Sequence, residues 1–281
     1  MLPEPIILLD GLVFPESPRW HADKLWFSDI YAQKVKTVDL AGHCETVVTL
    51  PGWPSGLGWL PDNRLVIVSI IERTLLQLDS DRLVNIADLR TLEPGGCNDM
   101  VVSQQGGAYI GSMGYNPFTD EPYAAGGIIL VTLDGTARIV ADQLDFPNGM
   151  AITSDGRTLI IAESLGECLT AFDIAQDGSL VNRHIWAQLK GTTPDGICLD
   201  AEGAIWVADF GNNEILRVCE GGLITQRVRV ANTPLACMLG GVDRRTLFVT
   251  TTATNQPEDA VARKSGCIAT VRVDVPGAGL P

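Results

Sequence analysis

Four oxygen-bearing side chains recur in one setting along this 281-residue chain. Asn98, Asn148, Asp195 and, more loosely, Glu16 each stand just before a strand-like run, in Cys97-Asn98-Asp99-Met100, Phe146-Pro147-Asn148-Gly149-Met150, Thr193-Pro194-Asp195-Gly196-Ile197 and Phe14-Pro15-Glu16-Ser17-Pro18. Two carboxylates and two amides brought to one point form an all-oxygen donor set. Such a set selects a hard divalent cation, Ca²⁺ first, with Mg²⁺ or Mn²⁺ as alternatives. Zn²⁺ is less expected, because no Cys or His stands at these positions, although carboxylates can bind it. Without a cation or a proton between them, Glu16 and Asp195 would repel each other in a narrow space.

An isolated Asn-Gly or Asp-Gly is ordinarily a turn, since glycine supplies positive φ and the Asx side chain bonds its own backbone. Asp134-Gly135, Asp155-Gly156 and Asp177-Gly178 read that way. What separates the four candidates from these turns is their position in a repeat. Helical periodicity is scarce, and alternating or β-branched runs separated by Asp-Gly, Pro-Asp-Asn and Gly-Gly turns dominate, which is the pattern of an all-β chain. The runs recur in six units. The positions before the first strand of each unit are Glu16, Ser55, Asn98, Asn148, Asp195 and Ala236. Their spacing of roughly 40 to 50 residues is that of a four-stranded blade.

The expected fold is therefore a six-bladed β-propeller spanning residues 1–281 as a single domain. Ile6-Ile7-Leu8-Leu9 precedes unit one and unit six lacks a fourth strand, so the N-terminal strand is expected to close the last blade and remove its exposed edge. Residues 277–281 read as a frayed end. The first strand of each blade lines the channel of a propeller, so residues on the loop entering it converge on the axis at one face. The longest loop able to cover that face, 112–125 in unit three, reads as a lid or specificity element, with Tyr115 and Phe118 as its candidate substrate contacts. The tryptophans at 20, 26, 59 and 206 read as packing between blades.

Other chemistries fare worse. His21, His43 and His184 are the only histidines; His21 and His43 fall in inter-strand turns and His184 beside a Trp, so a Ser-His-Asp arrangement has no obvious base. There is no Gly-x-Ser-x-Gly, Walker A loop or dinucleotide fingerprint. A formal charge of -14 without Lys/Arg clusters opposes nucleic acid and anionic membranes as partners. No apolar run is long enough to span a bilayer and the N-terminus lacks a signal peptide's basic region, so a cytoplasmic location is expected. Seven cysteines with no Cys-x-x-Cys pair argue against a disulfide framework.

Taken together and in order, Glu16-Ser17-Pro18-Arg19-Trp20, Cys97-Asn98-Asp99-Met100, Pro147-Asn148-Gly149-Met150 and Pro194-Asp195-Gly196-Ile197 resemble the senescence-marker-protein-30/gluconolactonase/luciferin-regenerating-enzyme family over about residues 12–273. The resemblance implies a divalent metal held by Glu16, Asn148 and Asp195, with Asn98 touching substrate or metal. It also implies hydrolysis of a small molecule, a sugar lactone or related cyclic ester, with Asp195 orienting or deprotonating the water. The similar diisopropyl-fluorophosphatase propellers make a calcium-dependent phosphotriesterase or aryl esterase the alternative, and a non-catalytic binding propeller is a third reading. The chain departs from animal members at Gly96, where they carry Arg, and in the loop that follows.

Overall fold

The computed structural model describes residues 3–93 and 95–278. Among them, six four-stranded antiparallel sheets follow one another as the blades of a β-propeller. The innermost strands, Pro15–His21, Pro54–Trp59, Cys97–Val102, Pro147–Ile152, Pro194–Leu199 and Thr233–Gly240, each touch the next, and the sixth touches the first, so the ring closes. They are nearly buried throughout, whereas outer strands such as Cys44–Thr49 and Arg82–Asp88 are largely exposed or half-buried. Closure is as expected: Ile6–Leu12 pairs antiparallel with Gly266–Arg272 and completes blade six.

Large side chains fill the wedges between blades. Trp20 stacks on Phe248 across blades one and six at 5.3 Å, and Trp59 of blade two stacks on His21 at 4.0 Å and meets Trp26 edge-on at 5.4 Å. Trp206 is fully buried among Cys198, Cys237 and their neighbours. No helix among the described residues is long and apolar enough to cross a membrane.

The feature that positions the site is a register shift repeated in every innermost strand. Pairing with the second strand slips by one residue between Glu16 and Arg19, Pro54 and Leu57, Cys97 and Met100, Pro147 and Met150, Pro194 and Ile197, and Pro234 and Ala236. A β-bulge of this kind bends the strand and re-aims a side chain. Glu16, Asn98, Asn148 and Asp195 therefore stand within the innermost strands, each as the second residue, and not on the loop before them as the sequence suggested. The preceding prolines occupy the first strand position, where a missing N–H costs least.

The glycines after these residues act by absence of volume. Gly149 and Gly196 do not adopt positive φ. A Cβ on Gly149 would come within 2.5 Å of Ile197 N, and one on Gly196 within 2.1 Å of the Ala236 Cβ. Neighbouring strands can thus approach closely at the bulge. Gly196→Ala is expected to destabilise the fold by about 1–3 kcal/mol through overpacking, read as a lowered urea midpoint with unchanged slope.

Two elements differ from expectation. A short α-helix, Pro257–Arg263, interrupts blade six; it begins on proline, with Glu258 and Asp259 in its first turn and Arg263 in its last, charges that complement the helix dipole. Seven residues are too few to reveal a helical period. The end expected to fray is instead tied down where described: Gly277 bridges Asp200, Pro276 O accepts from Ala201 N at 2.8 Å, and Ala278 N donates to Leu199 O at 3.3 Å. Residues 279–281 lie outside the described residues.

Candidate metal centre

The bulges of four blades present an oxygen-bearing side chain to one cavity of about 660 Å³, lined by Glu16, Asn98, Asn148 and Asp195. Ser55 does not line it, and in blade six the register makes Leu235, not Ala236 as the sequence suggested, the equivalent residue, which adds an apolar side chain to the wall. Hydrogen bonds hold the amides, Asn98 directly to the next blade and Asn148 through Ser164 of its own blade. Asn98 Nδ2 donates to Pro147 O at 3.3 Å, Asn148 Nδ2 to Ser164 Oγ at 3.2 Å, and Ser164 Oγ to Pro194 O at 2.7 Å. Both amides thus point their nitrogens at protein acceptors. Among the described residues no hydrogen-bond donor reaches Oδ1 of either, so both amides have an oxygen available as a ligand and each keeps a second N–H.

Ser17 N donates to Glu16 Oε2 at 2.7 Å. Burial nevertheless pushes the Glu16 carboxyl up to about 8; Asp99 adds to the rise, and the Ser17 N–H and Arg19 oppose it. Asp195, only 7% exposed, is held well above the usual carboxylate range, first by burial and then by the negative charges of Glu16 and Asp99. The closest candidate counter-charge is committed elsewhere. Arg19 forms an ion pair with Asp99 at 2.7 Å and donates to Met100 O at 2.6 Å and Pro18 O at 2.9 Å.

Sequence reasoning missed this buried pair, whose members lie 80 residues apart. Arg19→Met is expected to destabilise the protein by about 3 kcal/mol, because it leaves Asp99 buried without a counter-charge. Arg19→Met with Asp99→Leu should recover most of that loss in the same urea titration.

The donor set fits a hard divalent cation. Burial raises both carboxyls and the charge of Glu16 raises Asp195 further, no cationic side chain lines their cavity, and two amide oxygens lack donors. Among the described residues no three Asp, Glu, His or Cys side chains gather at a point, because half of this set is amide.

The loop of blade three reaches the same cavity. Tyr115 and Phe118 both line it, with Met113, Pro117, Thr119 and Asp120. Its base is seated on Gly95, where a Cβ would meet the Tyr115 backbone at 2.2 Å, and the Tyr123 hydroxyl donates to Asp145. Sequence analysis did not single out Phe14, Tyr31, Phe146, Phe210, Asn255 and Gln256, which line the cavity as well.

Several of these sit at two repeat positions, the residue before each innermost strand and the residue after each second strand. One backbone hydrogen bond joins the two positions in five blades: Ile30 N to Phe14 O at 3.0 Å, Ile70 N to Trp53 O at 2.8 Å, Met113 N to Gly96 O at 2.9 Å, Ser164 N to Phe146 O at 3.1 Å and Phe210 N to Thr193 O at 3.0 Å. Their spacing from Glu16, Asn98, Asn148 and Asp195 was the available signal.

Residues 14–253 match the model of the SMP-30/Gluconolactonase/LRE-like region. A 6-deoxy-6-sulfogluconolactonase of Pseudomonas putida is 24% identical, the match covering 96% of this chain and 94% of the relative. Regucalcin of Danio rerio is 27% identical, with 90% and 88% covered. Among solved structures, a calcium-binding protein, regucalcin, from Agrobacterium tumefaciens superposes with a TM-score of 0.84 at 22% identity, covering 100% of this chain and 97% of that one. A gluconolactonase of Xanthomonas campestris gives 0.77 at 22% identity, with 97% and 89% covered. At such identity the structural likeness bears on the fold.

Proposed function

The chain belongs to the SMP-30/gluconolactonase/LRE-like family, and on that premise we propose that it is a divalent-metal-dependent hydrolase that opens a lactone. The observation that carries this reading is the pairing of Glu16 and Asp195, two buried carboxylates in one cavity with no cationic side chain lining it. Retaining such a pair is costly unless a cation compensates it. Glu16, Asn148 and Asp195 would hold the ion, Ca²⁺ first by donor type. When bound, the cation supplies Lewis-acid polarisation of the lactone carbonyl and stabilises negative charge developing on its oxygen.

The remaining roles belong to the chain. Glu16, with one oxygen fixed by the Ser17 N–H, serves as a stationary ligand, and Asn148, braced by Ser164, as a neutral one. Asp195 orients the attacking water and accepts its proton as the new C–O bond forms. The ring C–O bond then breaks, and the proton passes to the leaving oxygen to give the open hydroxy acid. Asn98 keeps one N–H on Pro147 O and offers the other to the substrate oxygen. The loop carrying Tyr115 and Phe118 closes the outer side of the cavity around the substrate. All seven cysteines are free, which supports a reducing, cytoplasmic setting.

A second reading, cation binding without hydrolysis, is favoured by the relatives named regucalcin, one of them a calcium-binding protein. Chelation followed by add-back separates the two. Lactone hydrolysis in a pH-stat is expected to fall to background after chelation and to return with Ca²⁺, Mg²⁺, Mn²⁺ or Zn²⁺. Recovery of cation binding with no turnover of any lactone would favour the second reading.

A further inference from the structure

We propose that the substrate is a neutral lactone bearing an alkyl or aryl substituent, seated against an apolar collar that the repeat builds above the four oxygens. The proposal rests on the lactonase reading and narrows it. The clamped positions above each bulge bring Phe14, Ile30, Ile70, Met113, Phe146 and Phe210 to the cavity wall from five different blades. Phe14, Ile30, Ile70 and Met113 are buried and pack into one cluster with Leu235 of blade six, so the collar is continuous around the channel. A file of aromatic rings leads outward from it. Phe14 lies 4.7 Å from Tyr31, Tyr31 4.9 Å from Trp53, and Trp53 4.9 Å from Phe118, which is 41% exposed at the rim.

Several polar side chains of the lining are already engaged, and the hydroxyls of Tyr115 and Thr193 are the remaining ones on its wall. Gln256 Nε2 donates to Asn255 Oδ1 at 3.2 Å, and Ser164 is held between Asn148 and Pro194. Hydroxyl groups of a lactone ring that face Phe14, Ile30, Ile70 and Met113 would lose water there without gaining partners. An anionic substituent fares no better. Among the described residues lining the cavity there is no Lys, Arg or His, and its charged side chains, Glu16, Asp195 and Asp120, are all acidic. The chain's net charge of -14 adds a field of the same sign. At about 660 Å³ the cavity is of a size that takes a drug-sized ligand, leaving room beyond a single ring for an apolar group.

The test compares specificity constants of the metal-loaded protein for δ-decalactone, dihydrocoumarin and glucono-δ-lactone. The two apolar lactones are expected to exceed glucono-δ-lactone by at least about tenfold, a discrimination within reach of an apolar pocket. Phe118→Ser, on an exposed loop, and Phe210→Ser should each lower that ratio several-fold, mainly through KM, with circular dichroism confirming the fold. A readout without turnover uses 6-pentyl-δ-lactam, which is not hydrolysed. It should quench tryptophan fluorescence with a Kd about tenfold below that of unsubstituted δ-valerolactam.

Glucono-δ-lactone matching or exceeding the apolar lactones, or a ratio unmoved in both variants, overturns the substrate class and leaves the lactonase reading standing. If no lactone is turned over with any divalent cation, the lactonase reading fails. The lactam titration then decides the collar alone: tighter binding of the pentyl lactam supports it, and equal binding overturns it.

Discussion

Asp195→Asn is expected to lower kcat/KM for lactone hydrolysis by about 10³-fold while leaving the metal-free protein at least as stable as the parent. Asparagine keeps the shape and a ligating oxygen but removes both the charge and the proton acceptor. In the parent, burial and the charges of Glu16 and Asp99 oppose ionisation of Asp195. The substitution relieves that opposition, so the urea midpoint of the metal-free variant at pH 8 should equal or exceed the parent's. A residue kept for packing would show the reverse, lost stability with activity retained. Glu16→Gln is expected to follow the same pattern, with its main effect on cation affinity.

The second large effect concerns pH and the cation together. Glu16 titrates at about 8 in the metal-free fold against an ordinary 4.5. Between those values the folded chain retains a proton that the unfolded chain has released. This stability is complete below 4.5 and is lost as pH rises through 8. The slope approaches about 1.4 kcal/mol per pH unit for one such group, and the raised Asp195 steepens it.

A divalent cation needs both carboxylates ionised, so its affinity rises through the same window and its binding releases protons. At a thousandfold excess over Kd it should stabilise the fold by about 4 kcal/mol. Melting curves between pH 5 and 8.5 check this: Tm in chelator should fall as pH rises, and Tm in excess Ca²⁺ should stay level. Parallel curves in the two conditions would show that the carboxylates are not coupled to a cation.

The sequence made the site legible to the extent that the repeat did. Glu16, Asn98, Asn148 and Asp195 could be aligned because each stands at one point of a recurring unit, and ring geometry then requires that they converge. Closure by Ile6–Leu12 was legible too, from a strand too many at one end and one too few at the other. What stayed hidden depends on pairing register or on contacts distant in sequence. The bulge exists only relative to a partner strand, so Asn148 looked like a loop residue ahead of a strand that in fact already contains it.

The reason for Gly149 and Gly196 stayed hidden because their close neighbours, Ile197 and Ala236, belong to the next blade. Arg19 and Asp99 sit within two of the recognised motifs, but nothing local says that they pair. Nothing in the sequence sets Phe14, Ile30 and Phe210 apart; the backbone bonds beside each bulge place them at the cavity wall.

The central claim, that these residues hold the ion on which hydrolysis depends, is tested most directly by anomalous diffraction from crystals grown with Mn²⁺. The account predicts one strong peak within ligand distance of carboxylate oxygens of Glu16 and Asp195 and the amide oxygen of Asn148, absent in crystals of Asp195→Asn at the same Mn²⁺ concentration. Lactone hydrolysis by protein whose only Mn²⁺ peak lies elsewhere, or which shows none, would contradict it.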